Sequence, residues 1–90
     1  MLLRVAGELD LGTTAELSTA LTDAERSDPR VVVLDLSRVE FADATALRVF
    51  VSASRRAHLR HRRFVLARPS KVLRRMLSLT ALDRSLEVVA

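Results

Sequence analysis

Ninety residues with 49% hydrophobic content are enough for one small folded domain and too few for two. The absence of cysteine excludes disulfides and thiolate metal sites, and the three aromatic residues are all Phe, so Leu, Val and Ala must build the core. The net charge of +4 is unevenly divided: residues 1–43 carry nine acids against four arginines, and residues 44–90 carry eleven bases against two acids.

In chain order, Leu2–Ala6 reads as a strand, ended by Gly7 and a turn around Glu8-Leu9-Asp10. From Thr13 to Arg26 the apolar residues Leu17, Ala20, Leu21 and Ala24 make the i, i+3, i+4, i+7 stripe of an amphipathic helix. Asp28-Pro29 breaks it. Val31–Leu36 is a β-branched, apolar run, which predicts a central strand covered on both faces. A short polar loop follows, and Asp43 is placed to cap a helix over Ala44–His61. Projected at 100° per residue, Ala46, Phe50, Ala53 and Ala57 share the inner face of that helix; Arg48, Ser52, Arg55 and Arg56 share the outer one. Phe64–Ala67 is a third strand. Pro69-Ser70 opens a third helix with Val72, Leu73, Met76 and Leu77 inward, and Leu86–Val89 closes the chain as a strand. Strands alternating with helices imply right-handed crossovers. The expected fold is a single α/β domain, β-α-β-α-β-α-β, with a mostly parallel or mixed four-stranded sheet and three main helices.

Chemistry is sparse. No nucleophile–base–acid set and no phosphate-cradling glycine loop is visible, so an enzyme is not expected. His58 and His61 stand among Arg56, Arg60, Arg62 and Arg63, which would repel a cation; no metal and no cofactor is expected. Asp35 suits a strand's C-terminal end, where it would bond loop amides. No apolar run approaches the ~20 residues that cross a bilayer and no cleavable signal opens the chain, which points to a cytoplasmic protein without membrane contact. The acid-free stretch from Ala44 to Leu82 has a solvated Arg-rich face as its ordinary meaning. Direct nucleic-acid binding is not expected, because stacking aromatics and a recognition motif are missing.

Three patches carry a resemblance: Gly7-Glu-Leu-Asp10 with Thr13 and Thr14; Leu34-Asp-Leu-Ser37 through Phe41 and Asp43 to Ala44-Thr-Ala-Leu47; and Pro69-Ser70 through Leu77 to Leu79-Thr-Ala-Leu-Asp83. In this order and spacing the chain resembles the STAS domain over residues 1–90, and within it the bacterial anti-sigma factor antagonists. The resemblance implies that Thr45 is the residue phosphorylated by a partner that is both an anti-sigma factor and a serine/threonine kinase. The unphosphorylated domain would bind that partner and release the sigma factor; a phosphatase would reset it. Asp10, Asp43, Ala44, Ala46, Leu47 and Arg48 are then the expected partner-binding residues. The family's usual neighbours of the acceptor, Ser/Thr before and Gly after, are Ala44 and Ala46 here, and the glycine of its closing block is Ala81. These departures suit an alternative, a non-switching STAS scaffold subunit of a transporter or stress-signalling complex. The strand with which the family usually begins is not seen before Leu2, so the resemblance implies either a trimmed chain or an open sheet edge through which a weak homodimer could form.

Overall fold

A computed structural model describes residues 1–89. The elements are β1 (Leu2–Leu9), α1 (Thr14–Glu25), β2 (Val31–Ala42), α2 (Ala44–Leu59), β3 (Arg63–Ala67), α3 (Lys71–Leu79), a 3-10 turn (Leu82–Arg84) and β4 (Glu87–Val89). The four strands pair in the order β1-β2-β3-β4, and every pairing is parallel. Right-handed crossovers between strands laid down in sequential order place every helix on the same side of the sheet. One core accordingly joins Leu9, Val32, Leu34, Leu36, Phe64 and Leu66 from the sheet to Leu17 and Leu21 of α1, Ala46, Phe50 and Ala53 of α2, and Leu73 and Leu77 of α3. Burying each of the large side chains contributes about 1.5–3 kcal/mol.

The opposite face of the sheet has no described element over it. Leu2, Val33 and Val65 are register partners there; Leu2 on the edge strand is 55% exposed, Val33 is half-buried and Val65 is buried. The continuous apolar run of β2 therefore marks a central strand, but not one covered on both faces.

Two strands are longer than the sequence suggests. β1 continues through Gly7 to Leu9, and β2 through Ser37, Arg38 and Glu40 to Ala42. Register shifts between Arg4 and Ala6, and again between Gly7 and Glu8, absorb the extra residues of β2. Gly7 supports this irregularity with φ +82°, a conformation open to glycine and strained for other residues. Hence the polar stretch before Asp43 is bulged strand rather than loop. In α3 the inner face is narrower than expected: Leu73 and Leu77 are buried, Met76 is half-buried and Val72 is 46% exposed. Ser70 caps α3 by accepting from the Leu73 amide at 3.3 Å. The helix ends at Thr80, and Ala81 follows in the left-handed conformation with φ +60°.

Candidate functional site

The site lies where β1 and β2 end side by side. Leu9 and Ala42 are the last register partners, and the Asp43 amide donates to the Leu9 carbonyl at 3.0 Å. Asp10 and Asp43, one residue beyond each strand, thus enter neighbouring loops at the C-terminal edge of a parallel sheet, the usual place for functional loops in such folds.

Asp43 is the N-cap of α2, with φ −112° and ψ −174°. Its Oδ1 accepts from the Thr45 amide at 2.9 Å and the Ala46 amide at 3.3 Å, satisfying two of the otherwise unpaired amides of the first turn. The Thr45 hydroxyl donates to the same oxygen. That hydroxyl is the main reason Asp43 stays ionised below its ordinary range; partial desolvation opposes it, and the Ala46, Thr45 and Leu11 amides assist.

Asp10 holds its own loop. Its Oδ1 accepts from the Gly12 amide at 2.9 Å and the Thr13 amide at 3.1 Å, and the Thr13 hydroxyl donates to the Glu8 carbonyl at 2.7 Å. This Asx-type turn fixes the chain entering α1.

The expected site residues separate by exposure. Thr45 is half-buried at the surface, Ala44 is exposed, and Arg48 is exposed one turn further along α2. Arg48 borders a shallow groove of about 300 Å³ with Val51, Ser52, Arg55 and Leu82; Leu47 forms its floor with only 7% of its surface accessible. Ala46 is fully buried, because its methyl faces the sheet. It supports the first turn from beneath and offers no contact surface, which corrects its place among the partner-binding residues.

The STAS domain model matches residues 1–90. The chain belongs to the STAS domain family. Among its relatives, the anti-sigma-F factor antagonist RsfB of Mycobacterium tuberculosis is 35% identical over 83 residues, spanning 92% of this chain and 67% of RsfB. An anti-sigma-B factor antagonist of Listeria monocytogenes is 33% identical over 84 residues, spanning 93% of this chain and 74% of that protein. The crystal structure of an anti-sigma factor antagonist from Mycobacterium paratuberculosis superposes with a TM-score of 0.88 at 26% identity, covering 98% of this chain and 74% of that one.

Two apolar side chains at this end of the STAS domain escape a reading of the sequence. Leu11 is 77% exposed in the loop between β1 and α1, and Phe41 is 49% exposed two residues before the cap. Phe41 is paired in register with Glu8, at the last irregular step of β2. An apolar residue interrupting the polar Asp10–Thr13 turn is the one signal the sequence holds for Leu11. No helix is long and apolar enough to cross a membrane among the described residues.

Proposed function

We propose that this STAS domain is an anti-sigma factor antagonist of the cytoplasm, a binding module rather than an enzyme. In this reading the unphosphorylated chain binds an anti-sigma factor that is also a kinase, and the sigma factor is released. Phosphorylation of Thr45 dissolves the complex, and a phosphatase restores it. The observation that carries the reading is the Thr45 hydroxyl: it stands in the first turn of α2 on the Asp43 carboxylate, next to exposed Ala44.

The chemistry of that position favours a switch. A phosphate brings about −1.5 to −2 charges and removes the hydroxyl as a donor to Asp43. A helix N-terminus tolerates the charge, so the fold should persist. A docked partner would have to desolvate the phosphate next to Asp43 and Asp10. A differential of ~2–4 kcal/mol weakens binding roughly 30- to 1000-fold.

The test uses the anti-sigma factor recovered with the chain from its own cells. Calorimetric titration should show Thr45→Asp binding at least 30-fold more weakly than wild type, with an unchanged melting curve. Incubation with the partner and ATP should place one phosphate on Thr45 by mass spectrometry. Equal affinity of Thr45→Asp and wild type would sink the switch. A complex that survives ATP with Thr45 unmodified would establish the scaffold reading instead.

A further inference from the structure

On the uncovered face of the sheet, away from Thr45, Arg4, Ala6, Asp35, Ser37, Arg38 and Arg68 line an open depression of about 400 Å³. Three features of the chain meet at it. The first is the bulge in β2: the register steps from Arg4–Asp35 to Ala6–Arg38, so β2 advances three residues where β1 advances two. Under strict alternation Arg38 would face the helices. With the bulge, Leu36 and Val39 stay in the core while Ser37 and Arg38 between them are exposed on the side of Arg4 and Asp35.

The second is Arg68, which follows β3 with φ +49°, a left-handed conformation that costs a non-glycine residue energy. Its guanidinium lies on the Asp35 carboxylate. The third is Asp35 itself, only 6% exposed, whose Oδ1 also accepts from the Ser37 amide at 3.0 Å and the Ser37 hydroxyl at 2.8 Å. Asp35 therefore fixes Arg68 over the depression and neutralises one of its three guanidinium groups. Arg4 and Arg38 have no ion-pair partner among the described residues, and neither Glu8 nor Glu40 lines the depression.

We propose that this depression is a binding site for a phosphate-type oxyanion, free or carried by a small molecule. Arg4 and Arg38 are its direct ligands, and Arg68, held by Asp35, is the third cation. Guanidinium forks match tetrahedral oxyanions in geometry and stay charged at every physiological pH. The volume lies within the range of small-molecule sites. The proposal is independent of the Thr45 switch.

The test is a ¹⁵N NMR titration of the full chain, reading backbone amides and arginine Nε groups, at constant ionic strength. Parallel arms use pyrophosphate, sulfate and ADP. Saturating shifts are expected at Arg4, Ser37, Arg38 and Arg68. Arg4→Ala and Arg38→Ala should each weaken pyrophosphate binding about 10-fold or more while leaving the melting temperature unchanged. Tighter binding of ADP than of pyrophosphate would assign an organic phosphate; equal or weaker binding would assign the free oxyanion. Shifts of equal size at Arg48, Arg55, Arg74 and Arg75, shifts that fail to saturate, or a double variant that binds like wild type would overturn the proposal.

Discussion

Two alanine-to-glycine substitutions should move stability in opposite directions. Ala46 and Ala81 both stand where the family usually has glycine, but their environments differ. Ala46 is fully buried in the first turn of α2, with its amide on Asp43. Ala46→Gly gives up about 0.5–1 kcal/mol of helix propensity and about as much again for the buried methyl group. The sum, ~1–2 kcal/mol, should lower the melting temperature of a domain this size by roughly 5–15 °C. Ala81 is exposed, with φ +60° just beyond the end of α3. Glycine there relieves about 1–2 kcal/mol of left-handed strain and returns about 0.4–1 kcal/mol as entropy of the unfolded chain. The net gain of ~0.5–1 kcal/mol should raise the melting temperature by roughly 2–8 °C. Thermal unfolding by circular dichroism measures both. Amide exchange supplies a local check, because the Leu47 amide donates to the Asp43 carbonyl at 3.3 Å and should exchange faster in Ala46→Gly. Shifts of the same sign, or a melting temperature for Ala46→Gly within 2 °C of wild type, would refute the reasoning.

Stability should also depend on pH through Asp35, whose pKa falls to about 2, first because of the Ser37 amide and then the Arg68 guanidinium. A carboxyl with a depressed native pKa contributes fully above its unfolded value near 4 and loses that contribution as pH falls toward 2. The melting temperature of wild type should therefore drop more steeply than that of Asp35→Asn over this interval; parallel curves would contradict the assignment. Ion pairs should be unequal as well. Arg56 Nε lies 3.0 Å from both carboxylate oxygens of Glu25, and the two side chains are 35% and 17% exposed. A double-mutant cycle there should give about 1 kcal/mol of coupling, whereas the 3.8 Å contact of Arg26 and Asp23, 82% and 58% exposed, should give none that is measurable.

The order and type of the elements are legible in the sequence because hydrophobic periods and caps are local. Asp43 announces α2 at its true first residue, and Asp28-Pro29 closes α1 three residues after Glu25. The strand ends are not legible, because a bulge breaks the period of two and dresses Ser37, Arg38 and Glu40 as loop. Coverage of the sheet is hidden for a different reason. An apolar β2 looks the same whether helices lie on one face or both, and only the sequential strand order decides it. At the candidate site, Asp10, Asp43 and Thr45 are readable as turn, cap and first-turn residues. The bond from the Asp43 amide to the Leu9 carbonyl is not, since it joins segments more than thirty residues apart.

Charge shows how far a local pattern is transformed by folding. The acidic first half and basic second half suggest a molecule with a free cationic flank, yet three ion pairs cross between the halves: Arg56 to Glu25, Arg62 to Asp28 and Arg68 to Asp35. Parallel strands and the helices between them bring these residues together, so much of the apparent asymmetry is internal pairing. What is left outside those pairs has a position. Arg48 and Arg55 border the groove on α2, Arg4 and Arg38 share the uncovered sheet face, and the carboxylates of Asp10 and Asp43 are engaged by loop and helix amides instead of cations. At the end of the domain that presents Thr45, negative charge is therefore held by amide and hydroxyl dipoles. An added phosphate on Thr45 would meet the Asp43 carboxylate there, with Arg48 one helical turn further along α2, and a partner resting on that end would feel the change at once.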